Sequence, residues 1–243
     1  MIQGILKRAG AANLQVDGEF GQNTVDAVKA FQGRSDVRLN PDGQVGIDTW
    51  KAMERITGYR VINVVDAQDP AQRTRVTNGL TRAGATDVIL MWGQSNAVES
   101  AVCEVLSQAG ASGGVAMVRF YSHGARGAQN VAAGHDGSTM GDLAGFSTSN
   151  WTQVRGSFAK LSDILASFGC IDLMGCSVGG GAAGRQLLSG IADAVQRPVE
   201  AGINTQYSDN VGYEPFNFEG PVRQIYPGGA SRASWAQHVQ SMG

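Results

Sequence analysis

A chain of 243 residues, 42% hydrophobic and 16% charged, has the composition of a folded globular protein and the length for one large domain or a large and a small one. Its formal net charge of −2 excludes the basic footprint of a nucleic-acid-binding protein, and three scattered cysteines exclude a disulfide framework. No apolar run approaches the ~20 residues of a membrane span, and the N-terminal "MIQGILKRAGAANLQ" lacks the apolar stretch of a secretory signal.

The first elements form an internal echo. "LQVDGEFGQNT" from Leu14 and "LNPDGQVGIDT" from Leu39 share L-x-x-D-G-x-[FV]-G-x-x-T at a separation of 39 − 14 = 25 residues. Each copy reads as a D-G turn followed by a helix start. The helices carry apolar stripes at Val25, Val28 and Phe31 and at Trp50, Met53 and Ile56. With Ile2, Ile5 and Leu6 they predict a three-helix domain over residues 1–58, in which Phe31 and Trp50 are core. From Ile2 to about Met53 the segment resembles the peptidoglycan-binding domain attached to many bacterial wall hydrolases, through "DGEFG", Thr24, "AVKAFQ", "DGQVG" and "TW". The resemblance implies peptidoglycan as a partner, met by Asp17, Phe20, Gly21, Thr24, Asp42 and Gly46.

From residue 59 to 243 the pattern changes to short apolar runs alternating with helical stripes. The runs are 61–65, 87–92, 115–121, 170–174, 198–203 and 222–226. Helix faces are expected at Val98, Val102, Val105 and Leu106, at Phe158, Leu161, Ile164, Leu165 and Phe168, and at Leu187, Leu188, Ile191 and Val195. Such alternation predicts an α/β fold with a mostly parallel six-stranded sheet covered by helices, and places chemistry at the carboxyl ends of the strands. There the third run ends in "YSHGARG" and the fourth in "MGCSVGG", so His123 and Cys176 occupy matching places. On neighbouring strands, ~4.8 Å apart, the two side chains are within reach of each other. Gly124 and Gly175 allow sharp turns with amides turned to a substrate oxygen, and a helix starting near Ala182 directs its positive end toward the thiol.

"MVRFYSHG" and "IDLMGCS" resemble the caspase-like cysteine peptidases, the clan that includes legumain, gingipain and clostripain. The likeness runs from about Val61 to Tyr207 and is greatest to a bacterial caspase-like domain family of unassigned function. It implies Cys176 as nucleophile, His123 as acid and base, and the amides of Gly124 and Cys176 as oxyanion donors, with no third catalytic residue required and no cofactor. Leu173-Met174 replaces the polar residue that caspases use before the cysteine, so aspartate specificity is not implied. The resemblance also brings Asp66, at the end of the first strand, to the pocket for the residue before the scissile bond, where a carboxylate favours Arg, Lys or a diamino acid; by itself the residue reads equally well as a solvated aspartate capping the helix near Pro70.

Two other readings stand at this point. Gly175-Cys176-Ser177-Val178-Gly179 also satisfies the G-x-S-x-G elbow of a serine hydrolase, which requires an acid and a histidine after Ser177; Asp209 and His238 meet that order, although His238 lies in a helical stripe. Alternatively, the second domain is catalytically inactive and the protein a wall-binding one. His135 reads as an exposed loop residue, Cys103 and Cys170 as core, and no spacing points to a metal. A wall-targeted cysteine peptidase, a lysin or secreted antibacterial effector, acts in the periplasm or cell wall on peptidoglycan peptides or envelope proteins. With no signal visible, the expected routes are a secretion system, phage lysis or a leader outside this sequence.

Overall fold

The computed structural model describes residues 1–93, 95–110, 112–134, 143–206 and 218–242. In chain order, α1 (Ile2–Arg8), α2 (Gln22–Gln32) and α3 (Ile47–Thr57) come first. Next are β1 (Arg60–Asp66), α4 (Pro70–Arg82), β2 (Val88–Met91), α5 (Ala97–Ala109) and β3 (Val115–Tyr121). Three short strands follow, β4 (Gly124–Ala125), β5 (Ala128–Asn130) and β6 (Gly145–Ser147), then α6 (Trp151–Ala159) and β7 (Leu165–Leu173). The chain closes with α7 (Gly181–Val195), β8 (Val199–Gly202), β9 (Val222–Ile225) and α8 (Arg232–Ser241). Contacts group Met1–Arg60 with Ala230–Gly243 as one unit and Val61–Gly229 as the other.

In the helical unit Ile5, Leu6, Val28, Phe31 and Met53 form the interior. The echo has a side-chain basis. Gln3 Nε2 lies within hydrogen-bond distance of Asp17 Oδ1 (2.7 Å), Glu19 O and Thr24 Oγ1, while its Oε1 accepts the Gly18 N–H. Gln32 repeats this with Asp42 Oδ1 (2.9 Å), Gln44 O, Thr49 Oγ1 and the Gly43 N–H. One buried amide thus satisfies the polar groups of each D-G turn. Gly18 is required twice over: its φ is +80°, and a Cβ would lie 2.8 Å from Arg232 Cγ.

That last contact explains why the compact units differ from the sequence division at the C-terminal helix. Gln240 Oε1 accepts the Val16 N–H (2.8 Å), Arg232 pairs with Glu19, and Ala236 and Val239 are buried. The tail after residue 229 therefore groups with the helical unit and not with the α/β unit.

The α/β unit is built on a six-stranded sheet of order β2-β1-β3-β7-β8-β9. The pairs β1–β2, β3–β7 and β7–β8 are parallel and β8–β9 is antiparallel. Alternation sends Ile62, Val64, Val118, Phe120, Ile171 and Leu173 to the face packed by α5, α6 and α7. Val65, Tyr121 and Met174 go to the face where α4 contributes Val76 and Leu80.

Three local expectations differ, the first being Trp50, which is only partly buried and not core. Leu165 and Phe168 lie in β7 and not on a helix: α6 ends at Ala159, a 3-10 turn takes Lys160–Asp163, and β7 pairs Val115 with Leu165 before a register shift. Gly169 fits that irregular stretch because a Cβ there would meet the Val115, Ala116 and Ala166 carbonyls at 3.0–3.2 Å. Cys103 is exposed, one position off the inward row of Val98, Val102 and Val105, whereas Cys170 is buried.

Candidate active site

β3 and β7 are neighbours, paired in register at Phe120 and Leu173. His123 (123 − 120 = 3) and Cys176 (176 − 173 = 3) each stand three residues beyond that pair, at the carboxyl edge of the sheet. Met174 N–H donates to Phe120 O at 2.9 Å, keeping the two chains together past the last pair. Beyond it the backbones touch. A Cβ on Gly124 would lie 3.1 Å from both N and O of Cys176 and 2.6 Å from Val178 Cγ2; one on Gly175 would lie 3.1 Å from the Gly124 Cα. Only glycine permits this approach of the histidine loop to the cysteine loop.

After His123 the chain forms the antiparallel sheet β4-β5-β6, which the sequence reading did not contain. Gln129 of β5, fully buried, donates Nε2–H to Phe120 O (2.7 Å), while Asn130 N–H donates to His123 O (3.0 Å). Gln129 Oε1 has no hydrogen-bond partner among the described residues. On the cysteine side, Ser177 has φ +56° and donates its N–H to Asn204 O, and Gly179 N–H donates to Gly202 O, so the turn into α7 is tied to the end of β8.

Cys176 is half-buried, and its Sγ lies 3.4 Å from both N and O of Gln206. The Cys176 N–H makes no hydrogen bond among the described residues. His123 Nε2 lies 2.7 Å from Asp69 Oδ2. Asp69 is the N-cap of α4: its Oδ1 accepts the N–H groups of Ala71 (2.9 Å) and Gln72 (3.2 Å). The bond from His123, foremost, and the two amides hold this carboxyl below the usual range against the opposing effect of burial.

Sequence reasoning missed Asp69. "DP" before a helical run marks a cap, but the partner lies 54 residues away in the chain and nothing local reports it.

Asp66 is not an open pocket wall. It is 1% exposed; Oδ1 accepts the Gln68 N–H and Oδ2 those of Ala133 (3.1 Å) and Gly134 (2.9 Å). A carboxylate this buried, with three amides on its two oxygens, presents no open surface to a substrate cation, so the expected preference for basic residues loses its basis. In the helical unit Thr24 is 1% exposed, its hydroxyl donating to Glu19 O, and is unavailable to a ligand. Asp17 and Asp42 each spend an oxygen inside their own turn, on the Glu19 and Gln44 N–H groups. Gly21 and Gly46 are the N-caps of α2 and α3, and beside Gly21 the Phe20 ring is 53% exposed.

Of the serine-hydrolase set, His238 is on α8 with its ring 5.2 Å from Trp235, in the helical unit, whereas Ser177 is in the α/β unit. Asp209 and His135 lie outside the described residues. Among the described residues no group of three or more His, Cys, Asp or Glu side chains is arranged to hold a metal, and no helix is long and apolar enough to cross a membrane.

With the helical unit's turns and caps in view, comparison with known families decides its nature. Residues 1–53 match the family described as a peptidoglycan binding domain. The peptidoglycan-binding module thus covers α1, α2 and almost all of α3, and associates the chain with the cell wall. No curated protein matches the chain.

Proposed function

We propose that the α/β unit is a caspase-like cysteine peptidase that the peptidoglycan-binding module delivers to the wall. One observation carries the reading: His123 and Cys176 extend equally far past a paired position on adjacent parallel strands. In the reaction, the Cys176 thiol gives its proton to His123 and attacks a peptide carbonyl. The oxyanion develops beside the Gly124 and Cys176 N–H groups, of which the second is unpaired among the described residues. His123 returns the proton to the departing amine, and water then hydrolyses the thioester with His123 as base. The substrate is a peptide of peptidoglycan or a protein of the envelope, as the wall-binding module supports.

The test is labelling with a cysteine-directed peptide probe and mapping of the modified residue, combined with cleavage assays. The label is expected on Cys176, with cleavage lost in Cys176→Ala and His123→Ala and mostly kept in Ser177→Ala. Loss in Ser177→Ala with retention in Cys176→Ala overturns the proposal in favour of a serine hydrolase. A wild-type protein that neither reacts nor cleaves leaves a wall-binding protein.

A further inference from the structure

We infer that Asp69 is a third member of this site, a positioning residue that sets the tautomer and orientation of His123 while its other oxygen caps α4. The inference rests on the peptidase reading for its kinetic consequence and on geometry for its structural part. A neutral imidazole has one N–H and one lone pair. The 2.7 Å contact with Asp69 Oδ2 assigns the N–H to Nε2, so the lone pair that takes the thiol proton is on Nδ1. Once His123 has accepted that proton, the adjacent carboxylate stabilises the imidazolium.

Asp69 is held for this task. Pro70 fixes the first helical residue, Ala67 N–H donates to Met91 O (2.8 Å), and Arg73 Nη1 donates to Ala67 O (3.0 Å). With Oδ1 committed to two amides of α4, the carboxylate cannot rotate away from His123 without uncapping the helix. The ends of β1 and β3 are thereby joined through one side chain.

Capping and positioning separate by substitution in the full chain. Asn and Ser both cap helices well, so Asp69→Asn and Asp69→Ser keep α4 while removing the charge beside His123. Asn presents an amide N–H to Nε2 and drives the ring proton to Nδ1; Ser is too short to reach the ring. The measurements are the nitrogen-15 tautomer signature of the His123 ring, assigned against His123→Ala, the pH dependence of Cys176 alkylation by iodoacetamide, and kcat/KM on a cleaved peptide. Expected are an Nε2–H ring in the wild type, a shift toward Nδ1–H in Asp69→Asn, an altered alkylation profile in both variants, and a fall in kcat/KM of roughly 10²–10⁴-fold with an unchanged melting temperature. An unaltered tautomer and profile in both variants overturns the inference whatever the activity. A shifted tautomer in a protein whose wild type cleaves nothing leaves the Asp69 assignment standing and removes the peptidase reading, so the two failures are distinguishable.

Discussion

Asp66 ends β1 and Asp69, three residues further on, caps α4; the two use their carboxylates in opposite directions. Asp69 faces outward to a histidine that is partly open to solvent, whereas Asp66 faces inward and gathers the amides of Gln68, Ala133 and Gly134. The second arrangement ties the segment after β5 to the end of β1. Replacing Asp66 by Asn leaves one of its positions occupied by an N–H donor facing other N–H donors, which costs about 1–3 kcal/mol. Asp66→Asn is therefore expected to lower the denaturant midpoint while leaving the ranking of residues before the scissile bond unchanged; a changed ranking at unchanged stability would restore a recognition role. The residue-level reading of the sequence placed His123, Gly124 and Cys176 at one strand edge because strand ends are visible in apolar runs. It misjudged Asp66 and overlooked Asp69 because burial at a strand end and a partner 54 residues distant depend on loops that no local pattern encodes.

Among the elements, β7 and β8 share a row of ionisable groups that the strand register dictates. Arg119, Asp172, Glu200 and Gln224 follow one another across β3, β7, β8 and β9. Arg119 Nε is 3.1 Å from Asp172 Oδ2, and Gln224 Nε2 donates to Glu200 Oε2 at 3.3 Å. Burial, then the charge of Asp172, pushes the Glu200 carboxyl up to about 7. In the unfolded chain its value is about 4.3. Between the two the folded state binds the extra proton, so this group's contribution to stability is greatest below about pH 4.3 and falls as pH rises through about 7. Glu200→Gln is expected to raise stability by about 1–2 kcal/mol at pH 8 and to change it little at pH 4, measured by urea unfolding at both. Equal effects at the two values would show that Glu200 keeps an ordinary carboxylate. The strands in this row were legible as apolar runs, except the first half of β7, whose register shift around Gly169 lets Leu165 and Phe168 mimic a helix face. β4, β5 and β6 were invisible for a different reason: at two or three residues each, they are too short for alternation to register.

At the scale of the whole chain, the proposed function divides the labour between a peptidoglycan-binding module that locates and an α/β unit that acts. An anchored enzyme works at the high local concentration set by its tether, so weak intrinsic affinity for substrate is sufficient. The full chain is expected to sediment with purified peptidoglycan sacculi, and residues 61–229 alone to remain in the supernatant while still cleaving a soluble peptide; unchanged sedimentation of 61–229 would refute the division. The helical unit is discontinuous, because α8 returns from beyond residue 229 to the turn that holds Val16 and Glu19. The contacts of α8 with that turn can form only after the intervening residues 61–229 have been synthesised. With α8 in place the α/β unit is joined to the helical unit at both of its ends. A single protease nick in one of its loops is therefore expected to leave both fragments attached to the helical unit, which co-purification after limited proteolysis would check.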